Sequence, residues 1–540
     1  MPIEYDIIIR NATVYDGGGD PPFQGDLALR GDRIAAVEPL PEARAGVEID
    51  AQGLAAAPGF INILSHAQES LIVDGRSQSD IRQGITLEVM GEGRSMGPVN
   101  DAVRDDLSFR GGELGFDFEW TTLDGYLEHL VRRGVSTNVA SFVGATTLRV
   151  HELGQENRPP SSEELDRMCA LVRRAMEEGA VGISSALMQV PGPYADTAEL
   201  TALAKAAAEY DGLYISHLRF TGARFLDAIE ELVTISRQAG IRGEVYHFGV
   251  VGRENVQKLD PAIELVEKAR AEGLDITGDV YPYHAGMGGL TAAMPPWVGE
   301  GGHEERVKRL KDPATRKRIA REMLEPSDEW ENLYRAVGGP SGYMVVGLKN
   351  PELKHLNGKT VAEIGELWGT SPEEAAMDLI IRDDTRVMSV AFSMNPENVR
   401  KKMAVPWMSY CTDSPSIATE GVFLKSHTHP RGYGSFPRVL AKYVREEKVL
   451  TMEEAIRKMT ALPARTLRLD RRGMLKEGYF GDLVVFDPEN VQDHATYQQP
   501  HQYSSGILHV FVNGVAVLKD GEHTGALPGR VVRGPGWKNS

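Results

Sequence analysis

Leu213-Tyr214-Ile215-Ser216-His217-Leu218-Arg219 and Gly243-Glu244-Val245-Tyr246-His247-Phe248 are the two runs whose reading decides the fold. Each is a short β-branched and aromatic run with a histidine near its end, the pattern of a strand that finishes on a polar group. Between them, Phe225, Ala228, Ile229, Leu232, Val233 and Ile235 recur at helical spacing across Arg224–Gln238. A strand–helix–strand unit with a right-handed crossover lays its strands side by side and parallel, carboxyl ends on one edge. The two histidines are then delivered to neighbouring strand ends, where they can share one metal ion. A lone histidine is more often a packed core residue than a ligand. Two at matching strand ends make the ligand reading competitive.

Outward from this unit the chain keeps the same rhythm. Strands are expected at Ala57–Leu64, Thr86–Met90, Asn138–Val143, Gly182–Ser185, Leu213–His217, Glu244–His247, Ile276–Tyr281 and Met408–Cys411. Helices fall between them at Leu123–Arg133, Ser161–Glu178, Thr197–Glu209, Arg224–Gln238 and Pro261–Glu272. Eight such steps predict a closed parallel barrel whose functional groups gather at strand carboxyl ends. The rhythm breaks near 290–346, a Lys- and Arg-rich stretch with Trp297 and Trp330, expected to be a subdomain inserted over the barrel mouth. The two ends of the chain read as short strands with tight turns. They are Tyr5–Arg10, Ala12–Tyr15, Asp26–Arg30 and Arg33–Val37 at one end, and Asp482–Phe486, Ile507–Val512 and Val515–Lys519 at the other. Asn513-Gly514 is the signature of a primed hairpin turn. Neither end holds a core alone, so 1–57 and 472–540 are expected to join in one β-sandwich, with 58–471 as the barrel. The predicted class is α/β, a distorted (β/α)8 barrel with a β-sandwich.

The net charge of −18 (59 basic, 77 acidic residues) argues against nucleic acid and anionic membrane as partners. The start, Met1-Pro2-Ile3-Glu4-Tyr5-Asp6, shows neither a basic n-region nor an apolar h-region, and no apolar run approaches the ~18 residues of a membrane span. Cys169 and Cys411 are the only cysteines, which disfavours a disulfide framework and makes the cytoplasm the expected compartment. Assembly into a homo-oligomer stays open.

The polar oddities of the barrel fall at strand ends. They are His66 after the first strand, Glu92 between Gly91 and Gly93 after the second, then His217 and His247, and Asp413 after the last. Glu92 on its own is a loop charge and Asp413 a helix cap. Taken with the histidines, they resemble the two-His, one-carboxylate set of a catalytic zinc with an open position.

At this level of detail the sequence resembles the D-aminoacylase (N-acyl-D-amino-acid deacylase) branch of the amidohydrolases over nearly its whole length. The carrying motifs are Pro58-Gly59-Phe60-Ile61, His217, His247, Asp279-Val280-Tyr281-Pro282-Tyr283 and Asp413. The most specific run is His429-Pro430-Arg431-Gly432-Tyr433-Gly434-Ser435-Phe436-Pro437-Arg438, with Gly481–Asp487, Pro500–Tyr503 and Gly521–Gly525 beyond it. The resemblance implies zinc on His217 and His247, with Glu92 in a place where the family commonly has cysteine. It implies Asp413 as general base, a metal-activated water as nucleophile, and Arg431 on the substrate carboxylate. Tyr281 or Tyr283 would polarise the scissile carbonyl or hold the substrate. The sequence also departs from the family pattern. Leu64 replaces the first histidine of the usual His-x-His, leaving His66 as an optional ligand. Gly249 stands where a lysine is common, and Val143–Thr147, taken as a fourth strand, offers no second-metal ligand. One metal site is therefore expected intact and the second weak or absent. The expected reaction is hydrolysis of an N-acyl-D-amino acid, or a related N-acyl amino acid, to a carboxylate and a free amino acid. Rivals are a cyclic-amide hydrolase or dipeptidase on the same scaffold. From a different class comes a decayed, non-catalytic amidohydrolase acting as a binding or assembly protein.

Overall fold

The computed structural model describes residues 3–110, 116–327 and 329–538. Eight strand positions run parallel in the order of the chain: Phe60–Ser65, Ile85–Met90, Asn138–Ser141 continued by Val143–Gly144, Gly182–Ala186, Leu213–His217, Arg242–Val245, Ile276–Val280 and Met408–Tyr410. A parallel bridge between Ser65 and Ser414 brings the last position back to the first, supported by Asp413 N–H donating to Leu64 O at 3.0 Å. The distortion sits in the third strand. Asn138–Ser141 pairs with the second strand, the chain breaks at Phe142, and Val143–Gly144 pairs with the fourth. Val143–Thr147 is therefore the end of the third strand and the start of the helix Ala145–Leu153, not a fourth strand.

The helices follow from local signals. Leu123–Arg133 has the bounds read from the sequence, and Thr122 caps it by accepting from Gly125 N–H. Ser161 and Glu164 form a reciprocal capping box that starts Ser162–Glu177. Phe225–Ala239 buries Phe225, Ala228, Ile229, Leu232, Val233, Ile235 and Ser236. The apolar residues of that list are the ones whose spacing pointed to a helix.

Both chain ends contribute to one nine-stranded sheet, joined where Ala55–Pro58 pairs antiparallel with Leu483–Phe486. Asn513 and Gly514 take φ of 50° and 79°, as a primed turn requires. Tyr5–Val14 is one strand rather than two, because Asn11 adopts φ 59° and the register shifts there without ending the ladder. Ala45–Asp50 escaped the sequence reading although Ala45, Val47 and Ile49 alternate with Gly46, Glu48 and Asp50; it is a short, largely exposed strand that pairs with Tyr5–Val14. The C-terminal tail turns from the sheet to the barrel, with Val531 bridging Val139.

The interruption of the barrel is longer than 290–346. Gly286–Gly289, Tyr343–Gly347 and Met388–Ala391 form one antiparallel sheet, and the helices Val361–Trp368 and Pro372–Asp383 lie between the last two strands. Leu290, Leu310, Val345, Ile364 and Leu379 share a core separate from that of the barrel. The second half of this insertion was not recognised because its helices carry the same periodicity as barrel helices. Among the described residues no helix is long and apolar enough to cross a membrane.

Within the barrel, Glu88 is fully buried and accepts from Ser65 Oγ at 2.8 Å and Thr137 Oγ1 at 3.0 Å. Burial pushes its carboxyl up to about 7, and burial together with Glu88 lifts the neighbouring Asp80 well above the usual range. The folded chain thus keeps a proton that the unfolded chain releases near the ordinary carboxylate pKa of ~4. The contribution to stability is complete below that range and is lost as pH rises through about 7. Thermal melts should show the melting temperature falling between pH 5 and pH 8, with Glu88→Gln flattening the fall. Parallel profiles for the two proteins would count against this account.

Candidate metal centre and active site

Glu92 is held by two glycines for steric reasons. Gly91 has φ 104° and Gly93 φ 62°. A Cβ at Gly91 would lie 2.6 Å from Phe142 O, and one at Gly93 2.4 Å from Ala186 Cβ. Only glycine lets the loop after the second strand pass this close to its neighbours and turn the glutamate inward.

The Glu92 carboxylate is the hub of the site. Its Oε1 lies 2.8 Å from His217 Nδ1 and 3.1 Å from His247 Nε2, and those two nitrogens are 3.0 Å apart. His217 ends its strand as the sequence indicates, but His247 lies two residues beyond Arg242–Val245. Tyr246 N–H still bonds Ser216 O, and His247 then leaves the ladder at φ 33° with its N–H on Asp279 Oδ1 at 2.8 Å. That bend places its ring edge-to-face with His217, centroids 4.3 Å apart. Burial works against ionisation of Glu92, yet hydrogen bonds from His217, His247 and His66 outweigh it and hold the carboxyl well below its usual range.

A second group shares Glu92. His66 Nε2 is 3.1 Å from Glu92 Oε2 and 3.0 Å from Asp413 Oδ1. Glu92, His217 and His247, and separately His66, Glu92 and Asp413, each offer three donor atoms gathered closely enough for one ion. Zinc binds N and O ligands at ~2.0–2.2 Å in a tetrahedral arrangement, which sets ligand atoms roughly 3.3 Å apart. The first group, with two imidazole nitrogens and a carboxylate oxygen at 2.8–3.1 Å, fits that requirement. The second group survives the loss of the usual histidine at Leu64, which is packed in the barrel core and reaches the site only through its backbone oxygen. A second donor set is therefore present on His66, Glu92 and Asp413.

Asp413 sits at φ 49°, three residues past the last strand, with both oxygens engaged. Oδ1 meets His66, and Oδ2 accepts from Arg431 Nη1 at 2.5 Å. This pairing with Arg431 was not foreseen. Arg431 is 2 % exposed, its guanidinium lies over the Tyr281 ring at 4.6 Å, and its Nε has no partner among the described residues. Tyr281 and Arg431 both line a cavity of about 360 Å³ that also takes in His217, His247 and Asp413. Tyr283 does not line it. Beyond Pro282 its ring turns into a cluster with His429 and Tyr497, beneath Arg438. Of the tyrosine pair, the cavity takes only Tyr281.

The sequence reading also missed Lys402. A Cβ on Gly249, which lines the cavity, would lie 2.6 Å from Lys402 Nζ. Lys402 is 2 % exposed, its Nζ meets Met394 Sδ at 3.9 Å, and burial lowers its ammonium to about 8. Lys402 belongs to the helix Pro396–Met403, and its Nζ occupies the space that a side chain on Gly249 would need. In sequence Lys402 is one of three consecutive basic residues, a pattern that reads as a solvated helix face.

Comparison with known proteins follows this geometry. Residues 425–518 match the amidohydrolase family pattern. An N-acyl-D-glutamate deacylase of Alcaligenes xylosoxydans xylosoxydans is 32 % identical over 538 residues, covering 99 % of this chain and 97 % of the relative. A D-aminoacylase of the same organism is 30 % identical over 533 residues, covering 98 % and 97 %. The solved N-acyl-D-glutamate deacylase of Bordetella bronchiseptica superposes with a TM-score of 0.81 at 29 % identity, covering 98 % of this chain and 100 % of that one. That structure holds zinc and a phosphonate inhibitor that mimics the tetrahedral intermediate of its reaction.

Proposed function

The chain belongs to the D-aminoacylase (N-acyl-D-amino-acid deacylase) branch of the amidohydrolases, and from that premise we propose that it hydrolyses the amide bond of N-acyl-D-amino acids with zinc on Glu92, His217 and His247. The convergence of those three donors beside Asp413, at the carboxyl edge of the barrel, carries the reading. It favours an enzyme over a decayed scaffold protein, since two histidines focused on one ionised carboxylate lack purpose without a cation. Residues 1–57 with 472–540 then form the β-sandwich and 58–471 the catalytic barrel, as the pairing of Ala55–Pro58 with Leu483–Phe486 supports. The two cysteines are free, as suits a cytoplasmic enzyme.

Zinc in this site supplies Lewis acidity and lowers the pKa of water towards ~7. The chain supplies the rest. Asp413 takes the proton of the attacking water and returns it to the departing nitrogen. Arg431 holds Asp413 through Nη1, which fixes the carboxylate, and lines the cavity, where its guanidinium is placed to meet the carboxylate of the substrate. Tyr281 lines the cavity beneath the Arg431 guanidinium and is the tyrosine of the pair able to meet the substrate there. Asp279 fixes the His247 backbone behind the ligand set. Asp413 also belongs to the second donor group, and a carboxylate bound to an ion cannot at the same moment accept a proton.

The test is hydrolysis of paired N-acetyl-D- and N-acetyl-L-amino acids by protein of known zinc content. Release of free amino acid from the D series is expected. Arg431→Lys should raise KM for free acids far more than for their methyl esters, because an ammonium cannot reproduce a two-point grip. An acid/ester ratio that does not move would remove Arg431 from substrate binding. No turnover of either series would remove the deacylase reading.

A further inference from the structure

Four arginines line the cavity, and two of them are already committed. Arg219 pairs with Glu231 at 3.0 Å and Arg431 with Asp413. The cavity acids are mostly occupied as well. Glu331 accepts from the backbone N–H groups of Thr221 and Gly222, Asp413 is held as described, and Glu329 is exposed. Arg306 and Arg386, both supplied by the insertion, have no carboxylate within ion-pair distance among the described residues. Arg386 donates only to Gln189 Oε1, at 3.3 Å, while Glu69 and Asp106 attract it from further away. Burial weakens the charge of each; Arg306 also feels the repulsion of Arg386, and Arg386 that of Arg94, which outweighs the pull of either Glu69 or Asp106.

The backbone makes room for both side chains. A Cβ on Gly299 would lie 2.9 Å from Arg306 Nη2, and one on Gly289 3.1 Å from Arg386 Cδ. Next to Arg386, the fully buried Val387 is held at φ 50°, a conformation that β-branched residues avoid and that concentrates at functional sites. Two partly desolvated, mutually repelling guanidiniums facing one cavity are costly until an anion joins them.

The geometry points to Arg306 and Arg386 as a second anion subsite that receives a further carboxylate carried by the substrate. The inference rests on the deacylase reading and deepens it, since the preferred substrate becomes a dianion. The second carboxylate comes either from an acidic amino-acid side chain or from a dicarboxylic acyl group. Arginine pairs suit either source, because each planar fork can bind both carboxylate oxygens.

The experiment uses zinc-loaded full-length protein with N-acetyl-D-glutamate, N-succinyl-D-leucine and N-acetyl-D-leucine. In Arg306→Met and Arg386→Met, kcat/KM should fall at least ~10-fold for a dianionic substrate, through KM, the loss expected for a charge-assisted pair. N-acetyl-D-leucine should be unaffected, and the lysine variants should recover part of the loss. Sensitivity of the glutamate compound alone places the carboxylate on the side chain, and sensitivity of the succinyl compound alone places it on the acyl group. Equal losses on all three substrates, or none on any, overturn the subsite. Calorimetric binding of glutarate separates this from failure of the deacylase reading. Without turnover of any substrate, glutarate binding that both methionine variants weaken still establishes the subsite, and binding that neither variant changes overturns it.

Discussion

His217→Ala and His247→Ala should each purify as folded protein that contains almost no zinc and has no measurable deacylase activity. Both side chains lie at the cavity, 20 % and 13 % exposed, and neither belongs to a hydrophobic core cluster, so truncation opens the site without undermining the barrel. What each deletion removes is one of three donors whose atoms lie within 3.1 Å of one another. Two remaining donors, one of them a carboxylate with other partners, cannot compete with water and buffer for the ion. Metal analysis should therefore fall from about one zinc per chain, the value for a three-ligand catalytic site, to near zero. Circular dichroism and melting curves check the fold. Stoichiometric zinc in either variant would sink the ligand assignment.

The second large effect is expected at Asp413. Asp413→Asn preserves shape and still accepts one hydrogen bond from Arg431, but it cannot take a proton at neutral pH. The first zinc group does not include Asp413, so this variant should keep its metal. Its kcat should drop by at least ~10², the lower end of what one general base contributes. Loss of both metal and activity together would mean that Asp413 is a primary ligand and that the base lies elsewhere. Near-normal kcat with metal in place would remove it from the proton path altogether. Zinc analysis and steady-state kinetics on the same preparation separate these results.

His217, Glu92 and Asp413 were legible in the sequence because a βα repeat has one functional edge. Any polar residue at the end of an apolar run is sent there, whatever the rest of the chain does. The Asn513-Gly514 turn was legible for a related reason, since its chemistry closes within a few residues. The reach of the insertion to Ala391 was not legible, because its helices have the same period as those of the barrel.

By itself, then, the sequence determined the barrel, the joined ends of the chain and which side chains reach the carboxyl edge, since these depend on periodicity and local turn chemistry. Tertiary structure alone decided how those side chains meet. The left-handed turns at His247 and Asp413 set their directions, and packing turned Tyr281 into the cavity while sending Tyr283 away from it. It also paired Arg431 with Asp413, brought Lys402 to the gap at Gly249, and left Arg306 and Arg386 facing the cavity from the insertion. The physical reason is that a charge finds its partner across space, and segments hundreds of residues apart carry no shared local pattern to announce it.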